Sequence, residues 1–197
     1  MSLERDLELL YELTSLRFIK RTWTQFLSPG MENDAEHHFR VAWIALTFAK
    51  MEGIQDIGKV ARMALVHDIA ESRTGDVHYV SREYTKRMEN EAIHEILRET
   101  GAENELLELW KEYEKRESPE SKIVKDADNL AVNMELQEQA AMGNPVKNVW
   151  TENRKFIYEN KLFTPSAKRL WEAIDKSNPH DWHLNARNRF NSGDWKK

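Results

Sequence analysis

The chain has no cysteine. That absence removes disulfides, thiolate nucleophiles, iron–sulfur clusters and thiolate zinc sites together, so any metal here must be held by His, Asp or Glu. Long apolar runs are missing as well: the longest nearly uninterrupted one, Val41 to Ala49, falls far short of the roughly 20 residues that span a bilayer. The first residues, Met1-Ser2-Leu3-Glu4-Arg5-Asp6, lack the basic and then apolar pattern of a secretory signal. A cytoplasmic protein without membrane contact is the expectation. Glycine is sparse, and none of the seven (Gly30, Gly53, Gly58, Gly75, Gly101, Gly143, Gly193) falls as G-x-G or ahead of Lys-Ser/Thr. Neither a dinucleotide fingerprint nor a P-loop exists. Positive charge is also in deficit, with 29 Lys and Arg against 34 Asp and Glu for a net charge of -5. The basic residues are interspersed with Glu, so there is no electrostatic footprint for duplex nucleic acid.

What is present suits one globular domain. The 197 residues are 40% hydrophobic and 32% charged, enough to bury a core and cover it with charge. No run of β-branched residues alternates with period two, and no internal repeat is visible, so an all-α bundle is expected. Leu3, Leu7, Leu10, Leu13 and Phe18 recur at helical spacing and predict a first helix reaching about Arg21-Thr22-Trp23, before the Ser28-Pro29-Gly30 turn. Asn33 with Glu36 reads as a capping pair that opens a second helix running to about Glu52. Val60 to Ser72, Arg82 to Thr100 and Glu103 to Lys115 are further helical patterns. Ser118-Pro119-Glu120 marks the start of a long helix over Lys122 to Met142, and Asn148 to Asn160 and Ser166 to Lys176 complete the set. Residues 1–178 read as a single domain, and 179–197 as a polar tail whose apolar anchors are Trp182, Phe190 and Trp195.

One His is followed directly by Asp inside an apolar helical pattern, Ala64-Leu65-Val66-His67-Asp68-Ile69-Ala70-Glu71. At about 100° per residue, Val60, Ala64, His67 and Glu71 share one face and Asp68 lies beside it. A buried Asp beside a His wants a cation. His37 sits in the first turn of the preceding helix on the stripe of Val41, Ala45 and Phe48, and so faces the interior. On the long later helix Asp128 has the apolar neighbours Val124, Ala131 and Val132, whereas Asp126 has Lys122 and Asn129 among its own, which marks Asp128 as the inward carboxylate. Two imidazoles and two carboxylates suit one divalent ion with open positions, and Mn, Co, Mg, Fe and Zn all fit such N/O donors. His38 is expected to pack or face solvent. His78 and His94 are each isolated, and His180-Asp181 with His183 lies in the tail, which favours one metal over two.

His37, His67-Asp68 and Asp128, in that order, resemble the H...HD...D signature of the HD-domain metal-dependent phosphohydrolases. Glu36-His37, His67-Asp68-Ile69-Ala70-Glu71, Thr74-Gly75-Asp76 and Lys125-Asp126-Ala127-Asp128 are similar to the small 5'-deoxynucleotidase subgroup of that family, over roughly residues 10 to 145. The resemblance implies an all-α HD-domain bundle, usually a homodimer, with His37, His67, Asp68 and Asp128 as ligands of one divalent ion. It also implies Glu71 as the catalytic acid/base and Arg21, Trp23 and Asp76 as substrate contacts, although one residue, Thr22, separates Arg21 from Trp23 where the subgroup has the pair adjacent. The implied activity is release of phosphate from (deoxy)ribonucleoside 5'-monophosphates by metal-activated water. Two other readings stand beside it: an HD phosphohydrolase acting on triphosphates, cyclic dinucleotides or guanosine polyphosphates, and a non-catalytic nucleotide-binding module. Residue chemistry agrees with hydrolysis. Unaided phosphate monoesters react so slowly that catalysis of up to about 10²¹-fold is needed, beyond the roughly 10² to 10⁴ of a general base alone.

Overall fold

A computed structural model of the chain describes residues 2–190 apart from Leu27, Pro29 and Ala186. Trp195, named above as a tail anchor, lies outside the described residues, as does Pro29 of the predicted turn. The described residues form helices joined by turns, with one isolated antiparallel bridge between Lys20 and Asn33. In chain order the helices are α1 (Leu3–Thr14), α2 (Asp34–Met51), α3 (Ile57–Val66), α4 (Glu71–Thr74), α5 (Tyr79–Arg82) and α6 (Glu89–Leu97). There follow α7 (Glu103–Lys115), α8 (Pro119–Ala141), α9 (Val146–Val149), α10 (Thr151–Asn160), α11 (Pro165–Lys176) and α12 (Asp181–Leu184). No described helix is long and apolar enough to cross a membrane.

Local chemistry sets several boundaries where the sequence places them. Asn33 accepts from the Glu36 amide while the Glu36 carboxylate accepts from the Asn33 amide, a complete capping box that starts α2. Ser118 caps α8 with Pro119 in its first turn. The core lies between α2, α3 and α8, where Val41, Ala45, Phe48, Val60, Met63, Ala64, Val124, Ala127 and Ala131 are wholly buried; α7 and α11 pack on its flanks. Burying side chains such as Phe48 and Met63 stabilises the bundle by roughly 1.5–3 kcal/mol each.

Four expectations are corrected. The first helix stops at Thr14, and short 3-10 turns at Ser15–Phe18 and Thr22–Gln25 carry the chain to α2. Its Leu3, Leu7 and Leu10 are exposed and Leu9 is buried, because α1 is held at the edge by polar contacts: Arg5 donates to the Ile96 carbonyl and Asp6 accepts from the Gly101 amide. The Val60–Ser72 pattern is split: α3 ends at Val66, and 67–70 continue as tight turns bonded three residues apart. The His67 ring causes the change, since its Nδ1 takes the Ala64 carbonyl at 2.8 Å, which the Asp68 amide takes in an uninterrupted helix. The Arg82–Thr100 pattern is shortened: Arg82 is the last residue of α5, a non-helical stretch that carries Arg87 to Glu71 follows, and only α6, Glu89–Leu97, is helical within it. In the tail, Trp182 and Phe190 are exposed and anchor nothing.

Candidate metal centre

The core helices bring the four expected ligands together. His37 projects from the first turn of α2, His67 closes α3, Asp68 follows it in the turn, and Asp128 sits mid-way along α8. One donor atom from each lies within 4.8 Å of all the others. His67 Nδ1 donates to the Ala64 carbonyl, so Nε2 carries the lone pair; it stands 3.2 Å from Asp68 Oδ2 and is buried with no hydrogen-bond partner. An orphaned buried acceptor facing carboxylates is what a cation resolves, so the residues present fit a divalent ion. His37 is oriented likewise: Nδ1 meets Glu32 Oε1 at 3.0 Å, leaving Nε2 directed at Asp128 Oδ1, 3.1 Å away. Glu32 is in turn held by Arg40 at 2.8 Å.

The electrostatics follow from this crowding. Burial works against an ionised Asp68, but with no ion held a proton on His67 Nε2 makes that ring a cationic partner that keeps the Asp68 carboxyl well below the usual range. Asp128 is lowered against the same penalty by the Lys125 ammonium and His37. Burial and Arg21 oppose charge on His37, yet its bonds to Asp128 and Glu32 raise it overall. Glu71 goes the other way. Buried, and facing Asp68, Asp34 and Asp76, its carboxyl is pushed up to about 11.

Asp34, Glu71 and Asp76 make a second acidic group, and Arg21 fills it: Nη1 lies 3.0, 3.8 and 3.3 Å from the three carboxylates in that order. The guanidinium supplies the positive charge a second ion would bring. The Lys20–Asn33 bridge and the Asp34 amide bond to the Ile19 carbonyl fix this segment against α2. Asp76 also accepts from the Thr22 amide at 3.0 Å, so it orients both Arg21 and the turn bearing Trp23. Gly75, at φ 70 and ψ 159, takes a conformation other residues avoid and turns the chain back so that Asp76 points inward.

A cleft of about 420 Å³ joins these parts. His67, Asp68 and Asp128 line one region, Glu71, Arg21 and Arg87 another, and Trp23, Tyr79 and Trp150 the rest. Trp23 meets the edge of Trp150 at 5.0 Å between ring centroids, and Tyr79 stacks on Phe26. Every expected substrate contact, Arg21, Trp23 and Asp76, lines this cleft.

Other histidines fall outside the donor cluster. His38 is buried, not exposed; burial and His67 take its ring down to about 3, and Nδ1 bonds the Asp34 carbonyl. His78 caps α5, while His94 and His180 are exposed, His180 meeting the half-buried His183. Sequence reading passed over Glu32, Tyr79, Arg87 and Trp150. A signal existed for Glu32 alone, an acid five residues before a ligand histidine in the turn leading to its helix.

Comparison with known proteins agrees with this geometry. The model of the HD domain family matches residues 13–171. The 5'-deoxynucleotidase HDDC2 of Danio rerio is 33% identical over 146 residues, 69% of this chain and 70% of that protein. The 5'-deoxynucleotidase hdd1 of Schizosaccharomyces pombe is 29% identical over 87% of this chain and 90% of its own length. Among solved structures, a predicted metal-dependent phosphohydrolase from Magnetospirillum magnetotacticum superposes with a TM-score of 0.69 at 26% identity, over 88% of this chain and 94% of that one. With the family matched across most of its length and the signature donors gathered at one point of an all-α fold, this chain belongs to the HD domain family.

Proposed function

We propose that the protein is a metal-dependent 5'-deoxynucleotidase, a hydrolase that releases phosphate from deoxyribonucleoside 5'-monophosphates. The observation that carries this is the continuity of one cleft from the His/Asp donors, past Arg21 and Glu71, to the wall of Trp23 and Trp150; the names of the relatives above support it. His37, His67, Asp68 and Asp128 hold one divalent ion. Bound there, Mn, Co, Mg, Fe or Zn supplies Lewis-acid polarisation of a phosphoryl oxygen and a more acidic water.

The chain's own groups do the rest. Arg21, anchored through Nη1, offsets charge on the phosphoryl oxygens. Burial and the surrounding carboxylates push Glu71 toward its protonated form when no ion is held, and a carboxyl so raised can deliver a proton to the departing 5'-oxygen. Trp23 provides an aromatic surface for the base, and Asp76 holds the Arg21–Trp23 segment against the substrate. The reading extends to a cytoplasmic homodimer in which residues 1–178 form the HD domain and 179–197 a tail. Exposed Phe39 and Trp43 on α2, lining a shallow cleft with Met142, support the pairing.

The test is phosphate release from ribo- and deoxyribonucleoside 5'-monophosphates, 3'-monophosphates and triphosphates, using metal-stripped protein resupplied with single ions. Release from 5'-deoxymonophosphates is expected; turnover of triphosphates alone, or silence in protein that binds the ion, overturns the reading. Trp23→Ala is expected to raise KM roughly tenfold, the worth of one stacked base, with a smaller effect on kcat. Equal loss in both parameters would place Trp23 at the chemical step.

Glu71→Gln is expected to lower kcat by about 10² to 10⁴. It also alters metal-free stability with a definite sign. An acid raised in the fold contributes stability that is full below its unfolded value and is lost as pH climbs toward the folded one, about 11. Glutamine has no such loss. Metal-free Glu71→Gln is therefore expected to gain in Tm over wild type from pH 5 to pH 8, and a constant difference across that range would contradict the burial of a protonated Glu71.

A further inference from the structure

We propose that Arg116, Lys125 and Asn129 form a second oxyanion subsite beside the metal centre, built to take one phosphate group. Arg116 ends α7 in a left-handed backbone conformation, φ 54 and ψ 29, a position that favours glycine or asparagine. The side chain compensates for that backbone by lying over the Tyr113 ring, with Cζ 3.3 Å from its centroid. The other side of the Tyr113 environment is the metal centre, since its ring lies 5.4 Å from that of His67. Strained positions that hold a cation against a site are a recurring feature of ligand clamps.

The donors themselves point to an anion. Arg116 Nη2 meets the exposed Glu114 carboxylate at 3.3 Å, but Nη1 is buried with no hydrogen-bond partner. Asn129 Nδ2 is buried and unpartnered in the same wall. Lys125 Nζ bonds Asp128 Oδ2 at 2.6 Å and retains further N–H donors. Unmet N–H groups are costly, and the metal does not account for these two as it does for His67 Nε2. All three residues line a separate cleft of about 420 Å³, together with Lys161 and without a carboxylate, and all three also line the main cleft. Cations beside a hollow whose lining holds no carboxylate, with two buried N–H groups left unmet behind them, match the chemistry of a phosphate oxyanion.

The ligand class rests on this geometry alone; only the origin of the phosphate, released product or a second phosphate on the nucleotide, rests on the hydrolytic reading. Orthophosphate is titrated calorimetrically into the full chain, with and without the divalent ion. Chelated wild type is expected to bind it, and Arg116→Gly to bind it at least tenfold more weakly while keeping its helical circular dichroism, because glycine is at ease at φ 54. Asn129→Leu, which removes the buried amide, is expected to weaken it at least threefold. Unchanged affinity in both variants, or no binding by chelated wild type, overturns the subsite.

Nucleotide binding separates the two sources. If Arg116→Gly weakens a nucleoside 5'-diphosphate more than a 5'-monophosphate, the subsite takes a second phosphate on the ligand. If orthophosphate alone is affected, it takes free phosphate. Turnover of 5'-deoxymonophosphates by wild type, assayed alongside, keeps failure of the hydrolytic reading distinct from failure of the subsite.

Discussion

Asp68→Ala is expected to remove metal binding and turnover together, with phosphate release falling by about 10³ or more. The magnitude follows from the several kcal/mol that a Lewis acid contributes to phosphoryl transfer, at about 1.4 kcal/mol per factor of ten. Asp68 is one of two carboxylates in a four-donor set, and its Oδ2 is the anionic oxygen beside the His67 lone pair. Metal content by elemental analysis and phosphate release from a 5'-deoxymonophosphate check the two losses. The fold is expected to survive, because after burial Asp68 is the foremost cause of the raised Glu71 carboxyl. Removing it eases the pressure on Glu71 but gives up the attraction of His67 that holds Asp68 ionised, so the two effects offset and Tm without metal should change little. Full activity in this variant would sink the assignment of the site.

The second large effect is a contrast between neighbours. Asp128→Ala is expected to abolish metal binding and leave the helices in place, whereas Asp126→Ala is expected to leave the metal site working and weaken the fold. Two residues apart on a helix means about 200° of rotation, so the carboxylates look out of opposite sides of α8. Asp126 accepts from the Phe163 and Thr164 amides at 2.7 and 2.8 Å and from the Thr164 hydroxyl at 2.7 Å, which fixes the start of α11. Stranding those donors costs about 3 kcal/mol, or roughly 6–12 °C in Tm for a chain of this size. Thermal melts and activity per folded molecule separate the outcomes. The reverse ranking would mean that Asp126 faces the ion.

Asp126 also shows where the sequence could be read and where it could not. The contrast between the apolar neighbours of Asp128 and the polar neighbours of Asp126 picked the carboxylate that the fold brings to the donor cluster, but α8 is buried on nearly all sides, so the second carboxylate is interior as well. Caps were legible because they depend on residues within one turn of each other: Asn33 with Glu36, and Ser118 before Pro119. The ligand set was legible because the HD pair lies among small apolar residues and the other two donors lie on helical stripes. The break after Val66 was not, since it needs one ring to capture one carbonyl. Nor were Tyr79, Arg87 and Trp150, which reach the cleft only through tertiary packing and carry no periodic signal of their own. Leu3, Leu7 and Leu10 followed the expected period yet lie exposed, because polar anchors at Arg5 and Asp6 set the roll of α1.

The donors at the centre come from α2, from the turn after α3 and from α8, and His37 and Asp128 are 91 positions apart in the chain. An ion there acts as a clasp across the whole fold. Binding only the folded form, it adds about 2.7 kcal/mol of stability at one hundred times its dissociation constant, while its removal leaves neighbouring carboxylates to repel one another. Supply of the ion thus governs how much of this protein survives proteolysis as well as how fast each copy works, and a cell starved of it loses the enzyme along with the activity.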